Sequence, residues 1–150
     1  MCKPAEVCLS FREPETTSVR YAGNVDMKSV ENIAMRAREL FDSRQIDTAR
    51  LASLYQRYNS LEDVTKFVAK GMQNFPHLCC GLASVYLREE IGFGQIIYGT
   101  YHSHRHSFLL IDGRLVVDIT ADQFGGPKVY VGALKLPWSL EAAALDNSPL

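Results

Sequence analysis

His106-Ser107-Phe108-Leu109-Leu110-Ile111-Asp112-Gly113-Arg114-Leu115-Val116-Val117-Asp118 holds two apolar, strand-forming runs on either side of an Asp-Gly pair. Such a pair supplies the left-handed backbone a hairpin turn needs, so the stretch reads as two antiparallel strands. The hairpin sets a histidine and an aspartate on neighbouring strands, and the turn decides whether they share a face. A two-residue loop pairs position 106 with 119 and leaves Asp118 on the face opposite His106. A three-residue loop, Asp112-Gly113-Arg114 with Gly113 or Arg114 left-handed, pairs 106 with 120 and puts both side chains on one face.

On either side the period of two continues. Gln95 to Tyr101, Arg105 to Ile111, Arg114 to Thr120 and Lys128 to Val131 are rich in Ile, Val, Tyr and Phe and are separated by Gly or Asp-Gly signals. They predict an antiparallel meander. Upstream the period is helical. From Ser29, the residues Val30, Ile33, Ala34, Ala37, Leu40 and Phe41 line one face of a first helix. Asp47 is placed to cap a second, with Leu51, Leu54, Tyr55 and Tyr58 on its apolar face. Ser60 and Asp63 form an imperfect capping box for a third, whose stripe of Leu61, Val64, Phe67 and Val68 runs to Gly71. After the Asn74-Phe75-Pro76 turn, a fourth helix runs from Cys80 to Glu90 and ends near Gly92. Helices first and strands second predict an α+β fold. Residues 1–26, with Pro4, Pro14 and Gly23-Asn24, show neither period and read as a loosely ordered leader. Beyond Pro137 come Trp138 and a short helix over Leu140 to Leu145.

The whole chain of 150 residues, 47% hydrophobic, is sized for one core. Lys and Arg number 16 against 17 Asp and Glu, with no block of like charge to mark a nucleic-acid or membrane surface. No run approaches the roughly 18 apolar residues of a spanning helix, and the first residues lack a signal-peptide pattern. The expected location is cytoplasmic, with secretion by a non-classical route left open. The cysteines are Cys2, Cys8, Cys79 and Cys80. An adjacent pair is not a typical small-domain staple.

Cysteine chemistry on an acyl carbon needs a thiolate, and a helix N-terminus with a nearby imidazole provides one near neutral pH. Cys80 begins the fourth helix. Running the helical register back from Leu82, Ala83, Tyr86 and Leu87 points Cys79 into the middle of the buried face and sets Cys80 near its edge. In the favourable hairpin register, Cys80 is the nucleophile, His106 holds and returns the thiol proton, and Asp118 fixes the imidazole. The Cys80 backbone N–H is an oxyanion donor, with Gln73 and Asn74 as candidate side-chain donors. Each residue alone has an ordinary alternative: a buried thiol, a strand histidine, a loop-binding carboxylate.

Phe75-Pro76-His77-Leu78-Cys79-Cys80-Gly81-Leu82-Ala83-Ser84 resembles the F-P-x-x-x-C-G-x-A-S stretch of small bacterial papain-like (transglutaminase-like) cysteine hydrolases. His106 to Gly113, followed by Val117-Asp118-Ile119-Thr120-Ala121-Asp122-Gln123-Phe124, is similar to their H-A-W-L-E-x-D-G and I-D-I-T-A-D-Q-F blocks. Phe108 stands where the family carries Trp, and Cys79 stands where small or polar residues are common. The resemblance covers roughly the C-terminal half. It implies a papain-like catalytic domain over 27–150 and the order Cys80, His106, Asp118. It also implies a peptidase, amidase or glutamine deamidase that forms a thioester, acts on a peptide or protein, and uses no cofactor. Asp122 and Gln123 match the family too, but tying a loop to the sheet explains them as well as catalysis does.

Two other readings stay open. His102, His104 and His106 alternate and share one face of an extended segment, which with Cys79 or Cys80 nearby suits zinc, copper or nickel. The fold also suits a binding module without turnover.

Overall fold

The computed structural model describes residues 25–60 and 63–141. The leader up to residue 24, Leu61, and all but the first two residues of the helix expected over Leu140 to Leu145 lie outside them. Leu140 and Glu141 themselves are in bends.

Helix α1 (Met27–Asp42) starts two residues ahead of the predicted Ser29 because Asp26 caps it, accepting from the Lys28 amide at 3.2 Å and the Ser29 hydroxyl at 2.6 Å. Val30, Ala34, Ala37, Arg38 and Phe41 form its buried face. Helix α2 (Thr48–Asn59) is capped by Asp47, which accepts from the Arg50 amide at 3.1 Å, and buries Leu51, Leu54, Tyr55 and Tyr58 as the spacing predicts.

The third helix corrects the expected capping box. Ser60 takes a left-handed φ of 54° and donates its amide to Gln56 O, so it closes α2. An N-cap needs extended backbone, and Ser60 does not have it. Helix α3 (Thr65–Asn74) follows Val64, and the Asp63 carboxylate accepts from the Thr65 amide at 2.9 Å. Phe67 is 42% exposed and stacks on Tyr55 with ring centres 4.9 Å apart. Gly71 does not end this helix. A Cβ there would lie 2.7 Å from Leu82 Cδ1, so glycine is the point of close approach between α3 and the next helix.

Helix α4 (Cys80–Ile91) stops at Gly92, whose left-handed φ of 92° lets its amide reach Arg88 O at 2.9 Å. One buried face was expected, but every residue from Leu82 to Arg88 is buried. The helix runs between α1 and α2 on one side and the sheet on the other. Arg88 tolerates this because its Nε donates to Gly94 O at 2.9 Å.

The strands β1 (Gln95–Tyr101), β2 (His104–Ile111), β3 (Leu115–Asp118), β4 (Tyr130–Ala133) and β5 (Trp138–Ser139) form one antiparallel sheet in the order β4-β3-β2-β1-β5. The molecule is α+β. Ile96, Leu109, Ile111, Val117 and Ile119 pack towards the helices, while Ile97, Phe108, Leu110 and Val116 join Tyr101, Ala121 and Trp138 in a second cluster. Both faces of the central strands are therefore covered, which fits their nearly unbroken apolar runs.

The β2–β3 turn takes the three-residue register. Ile111 pairs with Leu115 and Leu109 with Val117, and the Arg114 amide reaches Ile111 O at 3.0 Å. The left-handed residues are Asp112, at φ 56°, and Gly113, at φ 69°. Several ends differ from expectation: β3 begins at Leu115 rather than Arg114, and the fourth strand is Tyr130–Ala133 rather than Lys128 to Val131. The third strand stops at Asp118, and Ala121–Phe124 forms a 3-10 turn. Trp138 lies in β5, a fifth strand added beside β1 where Tyr101 pairs with it.

Candidate active site

Cys79 and Cys80 separate at the start of α4. Cys79 is fully buried, and burial above all pushes its thiol up to about 12. It is a core residue. Cys80 is half-buried at the first helical position, and no side chain caps the helix. The first intrahelical bond runs from the Ala83 amide to Cys79 O at 2.9 Å, so the amides of Cys80, Gly81 and Leu82 have no acceptor within the helix. The positive end of the helix thus faces outward beside the sulfur. Glycine follows Cys80 for a steric reason, since a Cβ on Gly81 would meet Tyr55 Cε1 at 3.3 Å.

The three-residue turn puts His106 and Asp118 on one face, and they touch. His106 Nε2 lies 2.6 Å from Asp118 Oδ2, with both side chains buried. Asp118 is held from further directions: the Trp138 indole N–H donates to Oδ2 at 2.8 Å, and the Thr120 amide to Oδ1 at 2.9 Å. Tyr101 and Phe124 meet the imidazole edge-to-face, with centroids 6.0 and 5.3 Å away. The carboxylate thereby fixes Nε2, and the buried Nδ1 has no hydrogen bond of ordinary geometry among the described residues. It is the nitrogen left for Cys80.

The electrostatics join the three groups. Burial alone pushes the Cys80 thiol up; the hydrogen bond and charge of His106, together with the backbone and hydroxyl of Ser107, outweigh it and leave the thiol below its ordinary value. Burial alone would lower His106, but hydrogen bonds to Asp118 and Cys80 and their charges raise it to about 9. Both shifts act in the direction of a thiolate beside an imidazolium. Ser107 carried no sequence signal. The β2–β3 ladder runs only from Leu109 to Ile111, so the Ser107 amide has no β3 partner and is available to the sulfur.

Other expected residues fall elsewhere. Gln73 and Asn74 are exposed at the end of α3, outside the cleft at Cys80, and Asn74 Nδ2 donates to Lys70 O at 2.7 Å. They are not positioned as oxyanion donors, because α3 continues past Gly71 and spends the Asn74 amide on its own last turn. The histidine alternation breaks at His102, which has a φ of 55° in the β1–β2 turn; His104 stacks on Phe124 at 4.8 Å. Among the described residues no group of three His, Cys, Asp or Glu could hold a metal ion. Asp122 takes a two-pronged grip from the buried Arg38 of α1, with both N···O distances 2.8 Å. Arg38 also donates to Ile119 O at 2.8 Å, and Gln123 Nε2 to Thr120 O at 3.1 Å. These residues anchor the segment after Asp118.

A cleft of about 380 Å³ opens at Cys80, lined by Tyr55, Phe67, Lys70, Gly71, Leu78, Gly81 and Ser107. Comparison with protein-family models, curated proteins and solved structures gave no match. No helix among the described residues is long and apolar enough to cross a membrane.

Proposed function

We propose that this chain is a cysteine-dependent acyl-transfer enzyme of the papain-like (transglutaminase-like) type, acting on an amide bond of a peptide or protein through a thioester. The supporting observation is the 2.6 Å contact between His106 Nε2 and Asp118, which leaves Nδ1 for a thiol at an uncapped helix start.

The Cys80 thiolate attacks the amide carbon, forming the C–S bond and moving the carbonyl pair onto oxygen. The Cys80 amide meets that oxyanion, with the hydroxyl of Tyr55, which stands against Gly81, as a second donor. Collapse breaks the C–N bond, and the leaving amine takes the Nδ1 proton from His106. Water or an acceptor amine then attacks the thioester while Nδ1 takes its proton, and the sulfur leaves as thiolate. Asp118 holds the imidazole throughout.

The test is alkylation by iodoacetamide at pH 6, located by tandem mass spectrometry. Cys80 reacts much faster than Cys79, and His106→Ala removes the difference. Equal, slow labelling of the two would refute the enzymatic reading.

A further inference from the structure

Leu78 has a left-handed φ of 61° and is 55% exposed. A bulky apolar residue in that region costs about 1–2 kcal/mol, and its side chain recovers little by burial. It lies two residues before Cys80 and lines the same cleft as Phe67, another exposed apolar side chain, stacked on Tyr55. Among the described residues Lys70 is the one cation lining the cleft, and no ion pair engages it.

The cleft also has a direction. His106 does not line it, yet a leaving amine must sit beside His106 Nδ1 to take its proton. The leaving group therefore departs on the histidine side, and the acyl portion extends the other way, past Gly81 towards α3. At about 380 Å³ the space is at the small end of ligand pockets, suited to one or two residues.

We propose that this cleft is the acyl-binding subsite, selecting a residue with an apolar side chain at the reacting carbonyl through Leu78 and Phe67, while Lys70 excludes basic side chains. The inference rests on the acyl-transfer reading and names the substrate class for it.

The experiment compares the rates at which N-acetyl chloromethyl ketones of leucine, phenylalanine, glycine and lysine label Cys80 in the full chain. Each rate is divided by the iodoacetamide rate on the same sample, which corrects for thiol reactivity. The leucine and phenylalanine reagents are expected to exceed glycine by about tenfold or more, with lysine slowest. Leu78→Gly, which suits the left-handed backbone, is expected to flatten the apolar preference, and Lys70→Gln to restore the lysine reagent. Equal normalised rates across the panel, or a preference that survives Leu78→Gly, overturns the subsite while leaving the acyl-transfer reading standing. Failure of iodoacetamide to favour Cys80 over Cys79 overturns both.

Discussion

Trp138 donates its indole N–H to Asp118 Oδ2 at 2.8 Å, the same oxygen that faces His106 Nε2. The donor arrives on the two-residue strand β5, and the ring is stacked on Tyr130 with centroids 3.9 Å apart. Trp138→Phe removes the donor and, because a phenyl ring is smaller than an indole, part of the packing on Tyr130 and Tyr101. The expected result is a stability loss of at least about 1.5–3 kcal/mol, the usual worth of a hydrogen bond to a charged group, to which the space left by the fused ring adds. Chemical denaturation measures it, and an unchanged midpoint would show that the carboxylate does not depend on this donor.

The raised His106 pKa predicts a bell-shaped pH profile for kcat/KM with an alkaline limb near about 9, where the imidazolium loses its proton. Asp118→Asn removes one cause of the raised value, so the limb moves to lower pH and turnover falls by roughly 10⁴-fold, as in a serine triad carrying the same change. The linkage to stability has a definite sign. Folded His106 holds its proton up to about 9 against an ordinary 6.5, so its own contribution is complete below 6.5 and is lost as pH rises through 9, whereas the lowered Cys80 thiol contributes with the opposite sign and offsets it. In a Cys80→Ala background, where the thiol's opposing titration is absent and Asp118 still raises the imidazole, melting temperatures from pH 6 to 10 should fall more steeply with His106 than with His106→Gln.

Tyr55 packs against Gly81 and lines the cleft at Cys80. Tyr55→Phe preserves the stack on Phe67 and deletes the hydroxyl. If that hydroxyl meets the oxyanion, kcat falls by about 10²–10³-fold, while iodoacetamide, which forms no oxyanion, alkylates Cys80 at an unchanged rate. A parallel drop in both would assign Tyr55 to packing.

Arg38 ties α1 to the chain beyond Asp118 through Asp122 and Ile119 O. Arg38→Met leaves that carboxylate without its cation and should cost about 2–4 kcal/mol, somewhat less than for a fully buried pair because Asp122 keeps some solvent contact. Restoring much of the loss with Arg38→Met/Asp122→Leu would separate the stranded charge from lost packing.

The hairpin was legible but its register was not: an Asp-Gly pair suits a two-residue or a three-residue loop, and only the pairing of Ile111 with Leu115 puts His106 and Asp118 on one face. Asp26 acts as a cap where no cap was read, and Asp47 where one was. Ser60 shows the limit, since its side chain suits an N-cap equally well whether the backbone before it is ending a helix or beginning one. The donors around Asp118 were illegible for another reason. A strand of two residues has no period to detect, so nothing local marks Trp138 as a partner of a residue on β3. Ser107 was hidden likewise, because its role depends on where the neighbouring strand stops. The continuation of α3 past Gly71 and the Asn74 side-chain bond in its last turn decided against Gln73 and Asn74, which proximity in sequence had favoured.

That early stop of β3 has a wider meaning. In an uninterrupted sheet a carbonyl oxygen from the adjoining strand would occupy the place beside the Ser107 amide. Here that place is left to the Cys80 thiol of a neighbouring helix, so the main-chain group that would otherwise hold the sheet together instead helps to lower the thiol below its ordinary value. The thiol is in effect a surrogate for a missing backbone oxygen.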